Sequence, residues 1–532
     1  CLYAACPHYR RCFIERGSRL SRGARLVVAN HALVMSRAAR RGDETGPPRR
    51  IVFDEGHHLF EAADSAFSVH LTGAEGAELR RWLRGPEAAR RGRARGLLSR
   101  LEDLLSGDDA CWALLHELLD TARVLPGPGW QRRLPHLEPQ GPFEIFLSHV
   151  RTMVLARAGN THLPHSLECG TEAPEPRLVD SAARLEARLG ALAGPLATLA
   201  ARLAAFLDDH AETLESDSRG RIEAAVRSLS LRAEPIGRMG DADIVDWFEL
   251  ARSDGREIDV GMHRHAIDPT RPFAEAVLVP AHGVVITSAT LMDRHAAEAE
   301  EDWHRAETRV GARHLVEPPR RLSLPSPFDY AAQTRVLIVT DVRKNDPDRL
   351  AAACRALMLA AGGGALGLFT AIARLRATHA RIAPALEAAR LPLYAQHVDP
   401  IDTGTLVDIF RAERDACLLG TDAVRDGVDV PGDALRLIVF DRVPWPRPTI
   451  LHKARRAAFG GAVYDDMLAR LRLAQAFGRL IRRSGDRGVF VLLDAQTPTR
   501  LLSAFPPGVT PARVGLAEAV ATVRDFLGGT HP

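Results

Sequence analysis

The decapeptide IVFDEGHHLF, residues 51–60, decides the reading of this chain. Ile51, Val52 and Phe53 form a short apolar run rich in β-branched side chains, the pattern of a strand buried in a parallel sheet. The run closes on Asp54-Glu55, and ligands of open α/β sheets bind at the carboxyl ends of strands. Two carboxylates there suit divalent-metal and water chemistry. Asp54 would hold Mg²⁺, a hard cation that favours oxygen ligands, and Glu55 would orient or deprotonate an attacking water. The same dipeptide also suits a plain strand-to-helix junction, because carboxylates complement a helix N-terminus. The peptide alone leaves both readings open.

Outward from this point the chain alternates. LVVAN (Leu26–Asn30) reads as a second strand before it, and GVVITSAT (Gly283–Thr290) as a third far behind it. Thr287, Ser288, Ala289 and Thr290 end that third strand, where small hydroxyls can relay hydrogen bonds or simply cap a helix. Between them, residues 76–260 are rich in Ala, Leu and Arg, with Pro/Gly breaks. Leu185, Leu189, Leu192, Leu196, Leu199, Leu203 and Phe206 step by four and three, predicting a helical hairpin or bundle with a kink at Gly194-Pro195. This segment reads as a helical insertion within an α/β domain. After the Pro-rich stretch 317–330, a second α/β run begins, with strands expected at Val336–Thr340, Leu366–Thr370, Ala416–Gly420, Leu435–Phe440 and Val489–Leu493.

Composition excludes several classes. A chain of 532 residues with 46% hydrophobic and 26% charged residues is neither disordered nor collagen-like, and it is long enough for several domains. No apolar run reaches the ~18 residues of a membrane span. Of the 70 basic residues only Lys344 and Lys453 are lysine, which makes arginine-rich stretches weak functional evidence here. Neither lysine lies in the G-x-x-x-x-G-K-[ST] context that cradles phosphates, so the chain holds no Walker A lysine. The histidines show no H-E-x-x-H spacing, which excludes a zincin.

Two further clusters carry chemistry. Cys1, Cys6 and Cys12 crowd the first twelve positions, while Cys111, Cys169, Cys354 and Cys417 are scattered. Three close thiolates suit an iron–sulfur cluster or zinc, with His8 as a further zinc ligand, and chemistry alone leaves these and unliganded thiols open. An odd, uneven set of cysteines points to a cytoplasmic protein rather than a secreted disulfide framework. QAFGRLIRR (Gln475–Arg483) places Arg479 and Arg482 at i, i+3, on one face of an expected helix, with Gly478 allowing close backbone approach. Two guanidiniums on one face can grip a triphosphate. The arginine run from Arg80 to Arg100 reads either as phosphate contacts or as a solvated helix face.

Taken in order, D-E-G-H at 54–57, S-A-T at 288–290, DGVDVPGD at 426–433 and Q-x-x-G-R-x-x-R at 475–482 resemble motifs II, III, V and VI of superfamily 2 helicases. With the cysteine trio ahead of motif II, the chain resembles the iron–sulfur DNA helicases of the XPD/DinG type, nearest the bacterial DinG-like branch. Asn30-His31 is similar to the family's pair before motif II, and Phe369-Thr370 to motif IV.

The resemblance implies two RecA-like P-loop NTPase-type domains, the first incomplete and carrying an arch-like helical insertion and an iron–sulfur segment. The implied divisions are 1–20 for the cluster segment, 21–75 and 261–316 for the first RecA-like domain, 76–260 for the arch and 317–532 for the second. It implies ATP, Mg²⁺ and a [4Fe–4S] cluster as cofactors, with Cys1, Cys6 and Cys12 as cluster ligands. Asp54 would coordinate Mg²⁺, Glu55 would activate water, and His57 would couple hydrolysis to Ser288, Ala289 and Thr290. Asp429 would belong to motif V at the domain interface, and Gln475, Gly478, Arg479 and Arg482 would meet the nucleotide. The implied function is 5′→3′ unwinding of duplex DNA from single-stranded and forked substrates, by a cytoplasmic protein with no membrane partner, its oligomeric state open with a monomer favoured. Ala423 and Val424 depart from the aromatic pair usual in motif V, which puts a base-stacking contact in doubt. A non-enzymatic DNA-binding module on the same scaffold, or a zinc-stabilised translocase without strand separation, are the rival readings.

Overall fold

The computed structural model describes residues 11–39, 49–87, 96–101, 108–159, 165–209, 243–253, 255–293, 299–343, 345–421, 424 and 429–528. The chain divides into two compact units. One comprises Cys1–Ile51, His58–Val285 and Thr449–Arg455; the other comprises Val52–His57, Ile286–Pro448 and Arg456–Pro532.

The strands are β1 (Arg50–Phe53), β2 (Val69–Thr72), β3 (Leu167–Gly170), β4 (Ile244–Ser253), β5 (Arg256–Ala266), β6 (Gly283–Ile286), β7 (Thr334–Val339), β8 (Ala365–Leu368), β9 (Leu393–Ala395), β10 (Cys417–Gly420), β11 (Leu437–Phe440), β12 (Gly488–Leu492) and β13 (Ala512–Val514). The α/β class and a parallel sheet are present, as the sequence leads one to expect.

In the first unit a 34-residue helix, Pro176–Asp209, organises the core. Leu185, Leu189, Leu192, Leu196, Leu199 and Leu203 are all buried in one apolar cluster, joined by side chains of the helices Asp109–Thr121 and Gly141–Arg157. The heptad positions are therefore the core positions; the side chain of Phe206 lies outside the described residues. Of the hairpin or bundle expected, the helix takes the bundle form and runs on through Pro195. A proline removes one backbone bond, and the leucines buried on both sides of it hold the two halves together. The segment read as helical also helps build an antiparallel sheet of order β2-β5-β4-β3. Leu71, Met262, Phe248 and Leu250 turn from it into the helical core.

The second unit holds a seven-stranded sheet of order β13-β7-β12-β11-β8-β10-β9, parallel at every pairing. Its strands are apolar on both faces because both faces are covered. Leu437 and Val439 face a cluster built with the helices Pro347–Ala361, Ile372–Ala388 and Leu516–Gly528. Ile438 and Phe440 face the opposite cluster, built with Thr403–Ala412 and Ala462–Phe477. All five strands expected in this region are found; the three-residue strands β9 and β13 went unread.

The strand expected at Leu26–Asn30 is not formed among the described residues. Its last residue instead caps a helix, Asn30 Oδ1 accepting the Leu33 N–H at 2.9 Å ahead of His31–Ala38.

Candidate motor site

Strands β1 and β6 form a two-stranded sheet. The Thr287 N–H donates to the Phe53 carbonyl (2.9 Å) and the Gly56 N–H to the Thr287 carbonyl (2.9 Å), which locks the end of one strand to the end of the other. This close approach requires Gly56: a Cβ there would lie 2.3 Å from Ile286 Cγ2. Just before it, Glu55 adopts φ 50°, a left-handed conformation that costs a non-glycine residue energy and is concentrated at functional sites.

The turn leaves Asp54 and Glu55 exposed at the strand end, with the Glu55 N–H donating to Asp54 Oδ1 at 3.0 Å. His57 is tucked beneath them. Its Nδ1 lies 3.3 Å from Glu55 Oε2 and 2.8 Å from Ser288 Oγ. Ser288 Oγ in turn accepts the Thr290 N–H at 3.1 Å. Thr290 Oγ1 is buried and has no hydrogen-bond partner among the described residues. The structure thus joins His57, Ser288 and Thr290 by hydrogen bonds, with Glu55 beside the same His57 nitrogen and Ala289 exposed next to them.

The arginine motif is built differently from the sequence expectation. The helix Ala462–Phe477 ends at Gly478, so Gln475 lies in its last turn, and Arg479 and Arg482 follow in a loop rather than on a helix face. The Asp486 carboxylate turns the chain by accepting the N–H groups of Arg482 and Arg483, each at 2.8 Å. Arg482 Nε lies 3.4 Å from Asp429 Oδ1, joining motifs V and VI, and Arg411 donates to the Asp429 carbonyl at 2.8 Å. Val424 is fully buried in the apolar core of its unit, so it presents nothing to a base; Ala423 lies outside the described residues.

Several partners were invisible in the sequence. Asp293, five residues after Ser288, pairs with Arg470 on the helix that carries Gln475; Arg470 Nε donates to Asp293 Oδ1 at 2.7 Å, and both side chains are at most 2% exposed. Asp441 closes β11, is 1% exposed, and accepts the Thr370 N–H at 3.1 Å while lying 3.0 Å from Arg374 Nε. Burial outweighs Arg374 and Thr370 and pushes Asp441 up to about 7. A charged residue after an apolar strand was the available signal for Asp441; nothing local marked Asp293 or Arg470.

Of the cysteine trio, Cys1 and Cys6 lie outside the described residues, and Cys12 is a half-buried free thiol at the start of the helix Phe13–Gly23. The four scattered cysteines are buried. Arg80 and Arg84 are engaged internally, through Glu87 and the carbonyls of Leu125 and Leu119; Arg90 to Arg95 lie outside the described residues. No helix among the described residues is long and apolar enough to cross a membrane.

A family model described as the helicase C-terminal domain matches residues 354–511, the body of the seven-stranded sheet. The ATP-dependent DNA helicase YoaA of Escherichia coli (strain K12) is 25% identical over 540 residues, covering 98% of this chain and 72% of that protein. By sequence, the chain is similar to DinG/YoaA helicases over most of its length. The 3'-5' exonuclease DinG of Bacillus subtilis (strain 168) is 23% identical over 92% of this chain and 51% of that protein, so this chain spans about half its length. The ATP-dependent helicase DinG of Mycobacterium tuberculosis is 36% identical over 200 residues, 35% of this chain and 29% of that one. Among solved structures, S. tokodaii Xpd4 aligns with 90% of this chain and 79% of its own chain, at 11% identity and a TM-score of 0.42.

Proposed function

We propose that this chain carries the motor of an ATP-dependent DNA helicase that moves 5′→3′ on single-stranded DNA and opens forked duplexes in repair or replication. The observation that carries the reading is the single His57 nitrogen set between Glu55 and Ser288. A carboxylate fit to handle water lies 3.3 Å from the nitrogen that meets Ser288 Oγ just past the neighbouring strand, so a change at either would be felt by the other. Unwinding costs roughly 1.4 kcal/mol per base-pair step, and such coupling is how hydrolysis would meet that cost.

In this reading Asp54, exposed at the strand end, would hold Mg²⁺, and Glu55 would orient or deprotonate the attacking water. Gln475, Gly478, Arg479 and Arg482 would meet the nucleotide, with Asp429 steadying Arg482. Mg²⁺-bound ATP supplies a phosphoanhydride whose cleavage releases the free energy for movement. The exposed carboxylate pair and the unpartnered Thr290 hydroxyl fit such a ligand. Cys1, Cys6 and Cys12 remain the proposed ligands of a [4Fe–4S] cluster; one described thiol does not define its cradle, and the motor chemistry does not route through it.

In the complete protein, Glu55→Gln should cut DNA-stimulated ATP hydrolysis ~10²–10⁴-fold while nucleotide binding persists. Retained hydrolysis would remove Glu55 from the role of base. With no Walker A lysine, these 532 residues alone should hydrolyse ATP poorly, and rapid turnover by them would break that expectation. The name of the B. subtilis relative sets a second outcome. Release of nucleotides from a DNA 3′ end without strand separation would replace the helicase reading with a nuclease one.

A further inference from the structure

Three histidines meet on the face of the antiparallel sheet that turns away from the apolar core of the first unit. His70 in β2 stands directly opposite His263 in β5, and His263 is opposite Trp247 in β4. Side chains alternate along a strand, so His265 shares this face, while Met262 turns into the core. One nitrogen from each imidazole lies within 4.8 Å of the others. His70 Nε2 and His265 Nε2 are 3.0 Å apart, and Trp247 stacks on the His263 ring with an interplanar angle of 14°.

The surroundings supply what a metal needs beyond its first ligands. His265 Nδ1 lies 2.7 Å from Asp64 Oδ1. A ring nitrogen that close to a carboxylate carries the proton, which leaves Nε2 with its lone pair facing the cluster, as in carboxylate–histidine–zinc arrangements. Asp64 is itself anchored by Arg455, whose Nη2 donates to Oδ1 at 2.6 Å. Glu75 Oε1 lies 3.7 Å from His70 Nδ1, and Glu249 Oε2 lies 3.7 Å from His263 Nε2. His70 is 32% exposed and opens the cluster to solvent.

We propose that His70, His263 and His265 form a binding site for a zinc-type divalent metal, with a fourth position open to water. Zinc–nitrogen bonds of about 2.1 Å set tetrahedral nitrogens about 3.4 Å apart. Ring rotations reach that spacing without backbone movement, because strand register already opposes two of the ligands. Without metal, His265 Nε2 accepts the N–H of His70. With metal, the His70 proton sits on Nδ1 and faces Glu75, freeing Nε2 to coordinate. The metal would clip together β2, β5 and, through Asp64 and Arg455, the segment Thr449–Arg455.

The test uses the full chain with Cys1, Cys6 and Cys12 replaced by serine, titrated with Zn²⁺ against a chromophoric chelator and separately with Co²⁺. One metal per chain is expected, with visible Co²⁺ bands and no thiolate charge-transfer band. His70→Asn, His263→Asn and His265→Asn should each weaken binding by at least ~10-fold, and Asp64→Asn by ~10–100-fold. His116→Asn, outside the cluster, should change nothing. Co²⁺ should also quench Trp247 fluorescence, a signal lost in Trp247→Phe, which keeps the proposal testable if a histidine variant fails to fold. Absence of one-to-one binding, affinity unchanged from the parent in the three histidine variants, or no quenching of Trp247 would overturn it.

Discussion

Three strands of this chain carry one local pattern, an apolar run closed by aspartate: IVFD at 51–54, LIVFD at 437–441 and VLLD at 491–494. Their surroundings differ completely. Asp54 ends a strand of the two-stranded sheet, where Val52 is 69% and Val285 58% exposed, and the carboxylate stands in solvent. Asp441 and Asp494 end strands of the seven-stranded sheet, at 1% and 7% exposure. Asp494 accepts the N–H groups of Val443 and Gln496, and Asp441 is taken up by Thr370 and Arg374. Inside a fully covered sheet, a strand-end carboxylate must be paired to be tolerated, and it becomes structural. On the two-stranded sheet it stays exposed to solvent.

The sharpest way to press this contrast is the buried Asp293–Arg470 pair, the extreme of the enclosed kind. Asp293→Ala strands a buried guanidinium and should destabilise the protein by ~3–5 kcal/mol in denaturant titrations. A loss below ~1 kcal/mol would mean the pair is not closed to water in solution. Gly56→Ala comes next. Driving a methyl against Ile286 should cost ~1–3 kcal/mol and part the Gly56–Thr287 hydrogen bond, read as faster amide exchange at Gly56. Unchanged exchange would show that the two strand ends are not locked together.

Asp441 gives a pH signature. Its folded pKa is raised to about 7, so between about pH 4 and that value the unfolded chain has released a proton that the folded chain still holds. Its contribution is therefore fully present below about pH 4 and is lost as pH rises toward 7. Asp441→Asn should flatten the melting temperature against pH across that window relative to the parent, and parallel curves would remove the burial effect. The smallest stability change belongs to Asp54→Asn, within ~0.5 kcal/mol, because the group is exposed. In the complete protein the same variant should weaken Mg²⁺-dependent nucleotide hydrolysis; a large stability loss would erase the distinction between the two sheets.

Much of the fold was legible locally. The five strands of the second unit are continuous apolar runs, and six leucines at heptad spacing mark the buried face of Pro176–Asp209. LVVAN was misread because apolar, β-branched residues favour a strand only when a partner strand is supplied, and here Asn30 capping a helix took precedence. The antiparallel sheet was missed because β2 pairs with β5 across almost two hundred residues, and its outer face carries His, Glu and Trp instead of a simple polar alternation. The site was half legible. D-E-G-H and S-A-T name themselves by residue type, whereas the left-handed Glu55 and the buried Asp293–Arg470 pair do not.

The sequence by itself determined which residues have the chemistry to act: carboxylates at a strand end, small hydroxyls at another, arginines behind a glycine. Those are properties of side-chain type and near spacing, which a linear chain carries in full. Only the tertiary structure decided which of three aspartates stays exposed, which serine meets His57, and which three histidines share one sheet face. Solvation, pairing and proton affinity depend on what lies within a few ångströms, and here those neighbours come from far along the chain.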